Sequence, residues 1–282
     1  MKNLFLKIFP IFLLFSFHFT GITQSRTVRT ISLGQDTVQL IIYEQKGGDH
    51  VFIHVHENET ASLQAGLQAL SKYGGKLVTL AHSFDGTKNR NVTFRLDKNQ
   101  YAFDPNRIFT KDMSVLTGSI SLVKGKGKVD GQITGIADRL AKAIWNELEG
   151  YPLIIALHNN KNMPAQYKTR WLFWKHIEPE SYSITSYVRK FDQSSDSGKS
   201  CSDIYINPSI NNSEFFIVTQ RADFDLLYRL RYNAVLQNQN PVDDGSLSVF
   251  AAKKGIRYIN AEAKHGRVSE QSAMLNLLLG QR

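Results

Sequence analysis

Residues Tyr151 to Leu157 read YPLIIAL, an unbroken apolar run that ends on His158. Successive side chains of a strand point to opposite faces, so a strand that is apolar at every position must be covered on both. Layers above and below one sheet are what an α/β architecture supplies, with helices on both faces of a largely parallel sheet. The expected fold is therefore α/β: a mixed, largely parallel, twisted central sheet flanked by helices.

The rest of the chain fits that frame. Arg26 to Leu33 and Thr37 to Tyr43 carry β-branched and apolar residues across Gly34-Gln35-Asp36, the pattern of a β-hairpin. Gly47-Gly48-Asp49 turns into an apolar strand from Val51 to Val55. Leu63, Leu67 and Leu70 then recur at helical spacing until Gly74-Gly75, and Lys76 to Ala81 returns as a strand. Strand, helix, strand in that order predicts a right-handed crossover between parallel strands. Asn91 to Leu96 alternates as a strand, Lys111 to Gly131 reads as a loop with at most one short element, and Ile136, Leu140, Ile144 and Leu148 mark an amphipathic helix closed by Gly150. Ile204 to Ile206 and Glu214 to Thr219 read as strands, Arg221 to Leu236 as a helix, Leu247 to Ala251 and Ile256 to Ala261 as strands, and Ser269 to Leu279 as a closing helix. Asn159 to Ser202 is irregular, and long irregular segments commonly serve as lids or binding loops. No repeat or linker divides residues 26–282, which are expected to form one domain.

Residues 1–24 form a separate object. Lys2 and Lys7 precede the apolar stretch Ile8 to Phe19, and small or polar residues follow from Thr20 to Ser25, which is the layout of a secretory signal peptide. The stretch is too short for a membrane span, so no stable span is expected once the signal is removed. The exported chain has only Cys201 and cannot close an internal disulfide. Of the formal glycosylation sequons, Asn58-Glu59-Thr60 falls in the candidate site described next, which favours a bacterial exported protein, periplasmic or extracellular. The formal charge of +9 falls to about +7 when Lys2 and Lys7 are lost, and the remaining cations are scattered. Without a cationic stripe interleaved with base-reading side chains, nucleic acid is not an expected partner.

The second apolar strand empties into VFIHVHENETAS, Val51 to Ser62. His56 and Glu59, two residues apart, can converge on one ion as the chain turns from strand to helix, and zinc accepts both ligand types. His54 and Glu57 have the same spacing, so the residues alone leave two pairs open. A third reading, acidic residues complementing a helix dipole, is equally available to Glu57 and Glu59. His56 follows one strand, His158 another and Glu262 a third, in RYINAEAKHG. Ligands of open α/β sheets bind beyond the carboxyl ends of the strands, and here three such ends carry imidazole or carboxylate groups.

HVHENETAS resembles the histidine-glycine-asparagine-glutamate-threonine segment of the succinylglutamate desuccinylase and aspartoacylase branch of the zinc carboxypeptidase superfamily. DPNRIF, Asp104 to Phe109, is similar to that superfamily's aspartate-x-asparagine-arginine segment, and ALHNN around His158 resembles its strand-ending third ligand. The resemblance runs in order from Val51 to about Glu270. It implies one zinc per chain held by His56, Glu59 and His158, a substrate carboxylate bound by Asn106 and Arg107, and Glu262 as general base. The implied reaction is hydrolysis of an amide next to a carboxylate-bearing group by an activated water, on a peptide, a cell-wall peptide or an N-acyl amino acid.

Several positions depart from the pattern. Glu57 stands where the family has glycine and would add negative charge near the metal, and Pro105 replaces leucine. The family's carbonyl-polarising arginine has two candidates, Arg90 and Arg95, and no tyrosine of the peptidase branch finds a match. His54, His82 and His265 receive no role. A different class of function remains compatible with the same residues: an exported binding protein that keeps the carboxylate pocket at Arg107 and has lost hydrolysis.

Overall fold

The computed structural model of the chain describes residues 24–281 except 161, 165–168, 172–173, 177–178 and 189–199. Apart from Gln24, the expected signal peptide lies outside the described residues, as does most of the serine-rich stretch before Ser202. In chain order the elements begin with β1 (Ser25–Leu33), β2 (Asp36–Gln45), β3 (His50–His54), α1 (Thr60–Tyr73) and β4 (Gly75–Ala81). Next come β5 (Val92–Leu96), β6 (Asn99–Phe103), α2 (Met113–Gly118), β7 (Ile120–Lys124), α3 (Gly131–Leu148) and β8 (Leu153–Asn160). Two small antiparallel pairs follow, from β9 (Asn162–Pro164), β10 (Thr169–Trp171), β11 (Trp174–His176) and β12 (Pro179–Ser181). The chain closes with β13 (Cys201–Tyr205), β14 (Phe215–Val218), α4 (Arg221–Arg229), β15 (Ala234–Gln237), α5 (Leu247–Lys253), β16 (Tyr258–Lys264) and α6 (Val268–Leu279).

One nine-stranded sheet organises the fold, in the order β1-β2-β4-β3-β8-β16-β14-β15-β13. Its centre, β4-β3-β8-β16, is parallel, as is β14-β15, while β1, β2 and β13 pair antiparallel at the edges. The expected mixed α/β sheet with flanking helices is the one observed.

Every residue of β8 is buried. Ile154 and Ala156 face one layer, where Ile136, Leu140 and Ile144 of α3 pack. Leu153, Ile155 and Leu157 face the other, against Ala65 and Leu70 of α1 and Met274, Leu275 and Leu278 of α6. Gly66 lets α1 lie close to the sheet: a Cβ there would come within 2.3 Å of Leu157 Cδ1. A small antiparallel sheet, β5-β6-β7, closes the α3 side.

Three expectations are corrected. Residues 111–131 hold two elements, α2 and β7. The helix is started by Asp112, whose carboxylate accepts from the Ser114 N–H at 2.8 Å. In β7 only Ile120 is buried, so no alternation betrays the strand. The expected helix over Arg221 to Leu236 stops at Arg229; Arg231 takes φ 54°, which ends a helix, and Ala234–Gln237 joins the sheet as β15. Leu247 to Ala251 is helical rather than extended, because Ser246 caps the Val249 N–H and short apolar runs carry no decisive period.

Candidate metal centre

Beyond His54 the chain leaves the sheet, and a tight turn brings the Glu59 N–H to the His56 carbonyl at 2.9 Å. Glu59 occupies the N-cap position of α1 but its side chain caps nothing there. Its carbonyl is held instead, accepting from Ser62 Oγ at 2.8 Å and from His54 Nε2 at 3.0 Å. The carboxylate is thereby free to turn towards the end of β8. There Glu59 Oε2 accepts the Asn159 N–H at 2.9 Å and stands 3.2 Å from His158 Nδ1, while Oε1 stands 2.9 Å from His56 Nδ1. The two imidazoles meet at their Nδ1 atoms, 3.1 Å apart.

All three residues are buried, and one ligand atom from each lies within 4.8 Å of the others. Burial opposes charge on His56 and Glu59, yet the paired charges dominate. The His56 and His158 imidazoles hold the Glu59 carboxyl well below the usual carboxylate range, and Glu59 and Asp104 raise the His56 pKa. Two nitrogens and a carboxylate aimed at one point form a donor set that suits zinc, which takes three protein ligands and an open position at catalytic sites.

Asp104 strengthens that fit. Its Oδ1 lies 2.7 Å from His56 Nε2, so that nitrogen carries the proton it donates there, and Nδ1 faces Glu59 and His158 and offers them its lone pair whenever the ring is neutral. A carboxylate on the far nitrogen is the usual way a ligating histidine is oriented. Burial notwithstanding, the His56 hydrogen bond and the Arg90 charge keep Asp104 ionised.

Geometry separates the two histidine–glutamate pairs: His56 and Glu59 converge with His158, and His54 and Glu57 do not. Both nitrogens of His54 are occupied, by Thr79 Oγ1 at 2.8 Å and the Glu59 carbonyl, and burial lowers its pKa to about 4, so it stays neutral. Glu57 turns to the end of β4, where Oε2 accepts the Ser83 N–H at 2.9 Å. It lines no part of the cavity described next. His82 sits beside Glu57, and His265 is exposed.

A cavity of about 420 Å³ opens over Glu59 and His158. Glu262, in register with His158 on the neighbouring strand, is 8% exposed at its wall and accepts from Asn260 Nδ2 at 3.0 Å. Burial raises its pKa against the opposing pull of His158. Arg90 also lines the cavity, with Nη1 on Glu59 Oε1 and Nη2 3.2 Å from Asp104 Oδ2. Arg95 is tied to Asp36 at the β1–β2 turn, so of the two candidates only Arg90 reaches the site. Asn106 and Arg107 line the same cavity. Asn106 Oδ1 accepts the Leu247 N–H at 3.3 Å, and the Arg107 guanidinium contacts Asp244.

Four groups carried no sequence assignment to the site. Asp104 lies inside the recognised DPNRIF segment and was legible there only as a neighbour of Arg107. Asp244 reaches Arg107 from the segment before α5. Tyr182 and Tyr187 also line the cavity, and burial raises both phenol pKa values, so they stay neutral. Both tyrosines come from the irregular region, where no periodicity points to them.

No family model and no curated protein matches the chain. Solved structures similar to it include an aspartoacylase family protein from Mesorhizobium loti, 14% identical over 94% of this chain and 69% of that one, with a TM-score of 0.42. A provisionally assigned metallopeptidase from Shewanella amazonensis is 14% identical over 90% of this chain and 85% of its own, at a TM-score of 0.38. Another from Shewanella baltica is 11% identical over 91% and 84%, at 0.37. Likeness at that level adds nothing to the geometry, and the functional reading rests on the chain's own residues.

Proposed function

We propose that this chain is an exported zinc-dependent hydrolase that cleaves an amide next to a carboxylate-bearing group. Its substrate class is a peptide, a cell-wall peptide or an N-acyl amino acid. The observation that carries the reading is the convergence of His56, Glu59 and His158 under a cavity whose wall holds the buried carboxyl of Glu262. The order of the matching segments along the chain supports it independently. Among the described residues no helix is long and apolar enough to cross a membrane.

In this reading His56, Glu59 and His158 hold the metal, with Asp104 orienting His56. When bound, zinc supplies Lewis acidity and draws the pKa of water from about 15.7 towards 7. Glu262 takes a proton from the attacking water and returns it to the leaving amine. Its raised pKa suits that double duty, since a general base works best with a pKa near the working pH. Arg90 donates to the carbonyl oxygen as negative charge develops there. Asn106 and Arg107 hold the substrate carboxylate and with it the register of the scissile bond, a planar guanidinium being suited to two parallel hydrogen bonds.

Metal analysis of the purified protein should give close to one zinc per chain, lost on His56→Ala or Glu59→Ala. Hydrolysis across a panel of peptides and N-acyl amino acids should vanish in Glu262→Gln with zinc retained. Full zinc occupancy in Glu59→Ala counts against the metal site, and a zinc-loaded wild type inert on the whole panel favours a binding protein instead. Export is tested separately, by sequencing the N-terminus of the secreted chain.

A further inference from the structure

Arg107 is not a free cation. Its Nη1 lies against Asp244 Oδ2 and also donates to the Asp244 carbonyl oxygen at 3.4 Å. Asp244 is itself fixed, since Oδ1 accepts from the Ser246 N–H at 3.0 Å and from Ser246 Oγ at 2.6 Å. Both side chains line the cavity, 44% and 46% exposed, so a ligand meets them as a pair. A carboxylate arriving alone at Arg107 sets two anions side by side around one cation. Like-charge juxtaposition of that kind disfavours a ligand strongly. A carboxylate with an ammonium on the same carbon instead completes an alternating square of charges: carboxylate on Arg107, ammonium on Asp244.

A second observation points the same way. Asn160 and Asn260 line the same cavity, 3% and 5% exposed, and their buried Oδ1 atoms have no partner among the described residues. Their amide groups are already spent, on the Ser213 carbonyl and on Glu262. Buried acceptors left unmade are costly, so they favour a ligand that brings N–H donors.

We infer that Arg107 and Asp244 form a subsite for a free amino-acid head group, α-carboxylate and α-ammonium together. On the amide-hydrolase reading, on which this substrate class rests, the bond cut is then at a different nitrogen. The substrate is an ω-acylated diamino acid, or a peptide joined through a side-chain amine. Water adds hydroxyl to the acyl carbon and hydrogen to the ω-nitrogen as the C–N bond breaks, releasing a carboxylic acid and the diamino acid.

The test is calorimetric titration of the full, metal-loaded Glu262→Gln chain with Nω-acetyl-ornithine and Nω-acetyl-lysine, in both enantiomeric series, and with their Nα-acetyl isomers. Each isomeric pair has the same atoms and the same charges and differs only in where the ammonium sits. The Nω isomers should bind about tenfold tighter or better. Asp244→Asn, which keeps the Ser246 bonds through Oδ1, should abolish most of that preference. Equal or reversed preference, a preference that survives Asp244→Asn, uniform weakening of both isomers, or no binding at millimolar ligand each overturns the proposal. The parent reading fails separately. Protein that binds Nω isomers but holds no zinc keeps the subsite and loses the hydrolase, whereas wild type that holds zinc and hydrolyses Nα-acyl substrates alone does the reverse.

Discussion

Asp104 Oδ1 lies 2.7 Å from His56 Nε2, on the side of the imidazole away from Glu59 and His158. The contact selects which nitrogen of His56 faces the site. Asp104→Ala removes that selection and should weaken zinc binding by about 10- to 100-fold, the usual cost of losing such a partner. Asp104→Asn keeps an acceptor without the charge and should fall between, with the turn at Asn106 better preserved because its N–H also bonds Asp104 Oδ1. Competition with a chelator of known affinity measures both. An unchanged zinc affinity in Asp104→Ala would remove Asp104 from the site.

Glu262 predicts a trade between activity and stability. Its folded-state pKa is raised by burial from the ordinary 4.5. Below 4.5 the group is protonated whether the chain is folded or not and costs nothing. As pH rises through that value the unfolded chain releases its proton first, and folding stability declines until the raised folded value is passed. In metal-free protein Glu262→Gln should therefore raise Tm at pH 8 and leave it nearly unchanged at pH 4. A lower Tm at pH 8 would mean that the ionised carboxylate is compensated by its surroundings.

The parts of the fold that were legible are those whose signal is local. Tyr151 to Leu157 announced a two-sided strand because every position is apolar, whereas spacing alone left His54 with Glu57 and His56 with Glu59 as equal candidate pairs. Asp244 could not announce itself. It meets Arg107 across 137 positions of chain, and nothing near it in sequence marks an acid that faces a cavity. The choice of Arg90 over Arg95 was equally hidden, since it depends on Arg95 being claimed by Asp36 in the first hairpin. LSVFA became a helix for a similar reason: Ser246 caps it, and five apolar-rich residues fit either period.

A buried ion pair joins α3 to β4. Lys76 Nζ lies 2.6 Å from Glu147 Oε2, the two residues being 8% and 4% exposed, and Arg29 of β1 contacts the other carboxylate oxygen. Removing one member leaves the other charged and dry. Glu147→Ala should cost about 3 to 5 kcal/mol by urea denaturation. Replacing Lys76 and Glu147 together by Met and Leu should cost much less, because the charge of Arg29, left without its partner, is 59% exposed and solvated; equal losses in the single and double variants would show that packing, not charge, is what Glu147 contributes.

Gly245 holds the head-group subsite together by being small. It sits at φ 74°, where a side chain is strained, and a Cβ there would come within 2.4 Å of the Arg107 carbonyl oxygen and 2.9 Å of the Arg107 carbonyl carbon. Those atoms are backbone and cannot swing aside, and the Phe109 N–H, bonded to the Gly245 carbonyl at 2.8 Å, pins the two strands of chain from the other side. Gly245→Ala must therefore push Asp244 and Arg107 apart. The strain should cost about 1 to 3 kcal/mol of stability. The functional effect should be selective: KM rises several-fold, kcat changes far less, and zinc affinity stays at the wild-type value because His56, Glu59 and His158 lie on other segments. If zinc affinity and kcat fall together while KM holds, Gly245 supports the metal centre through the fold as a whole, and the separation drawn between the metal residues and the Arg107 subsite is wrong.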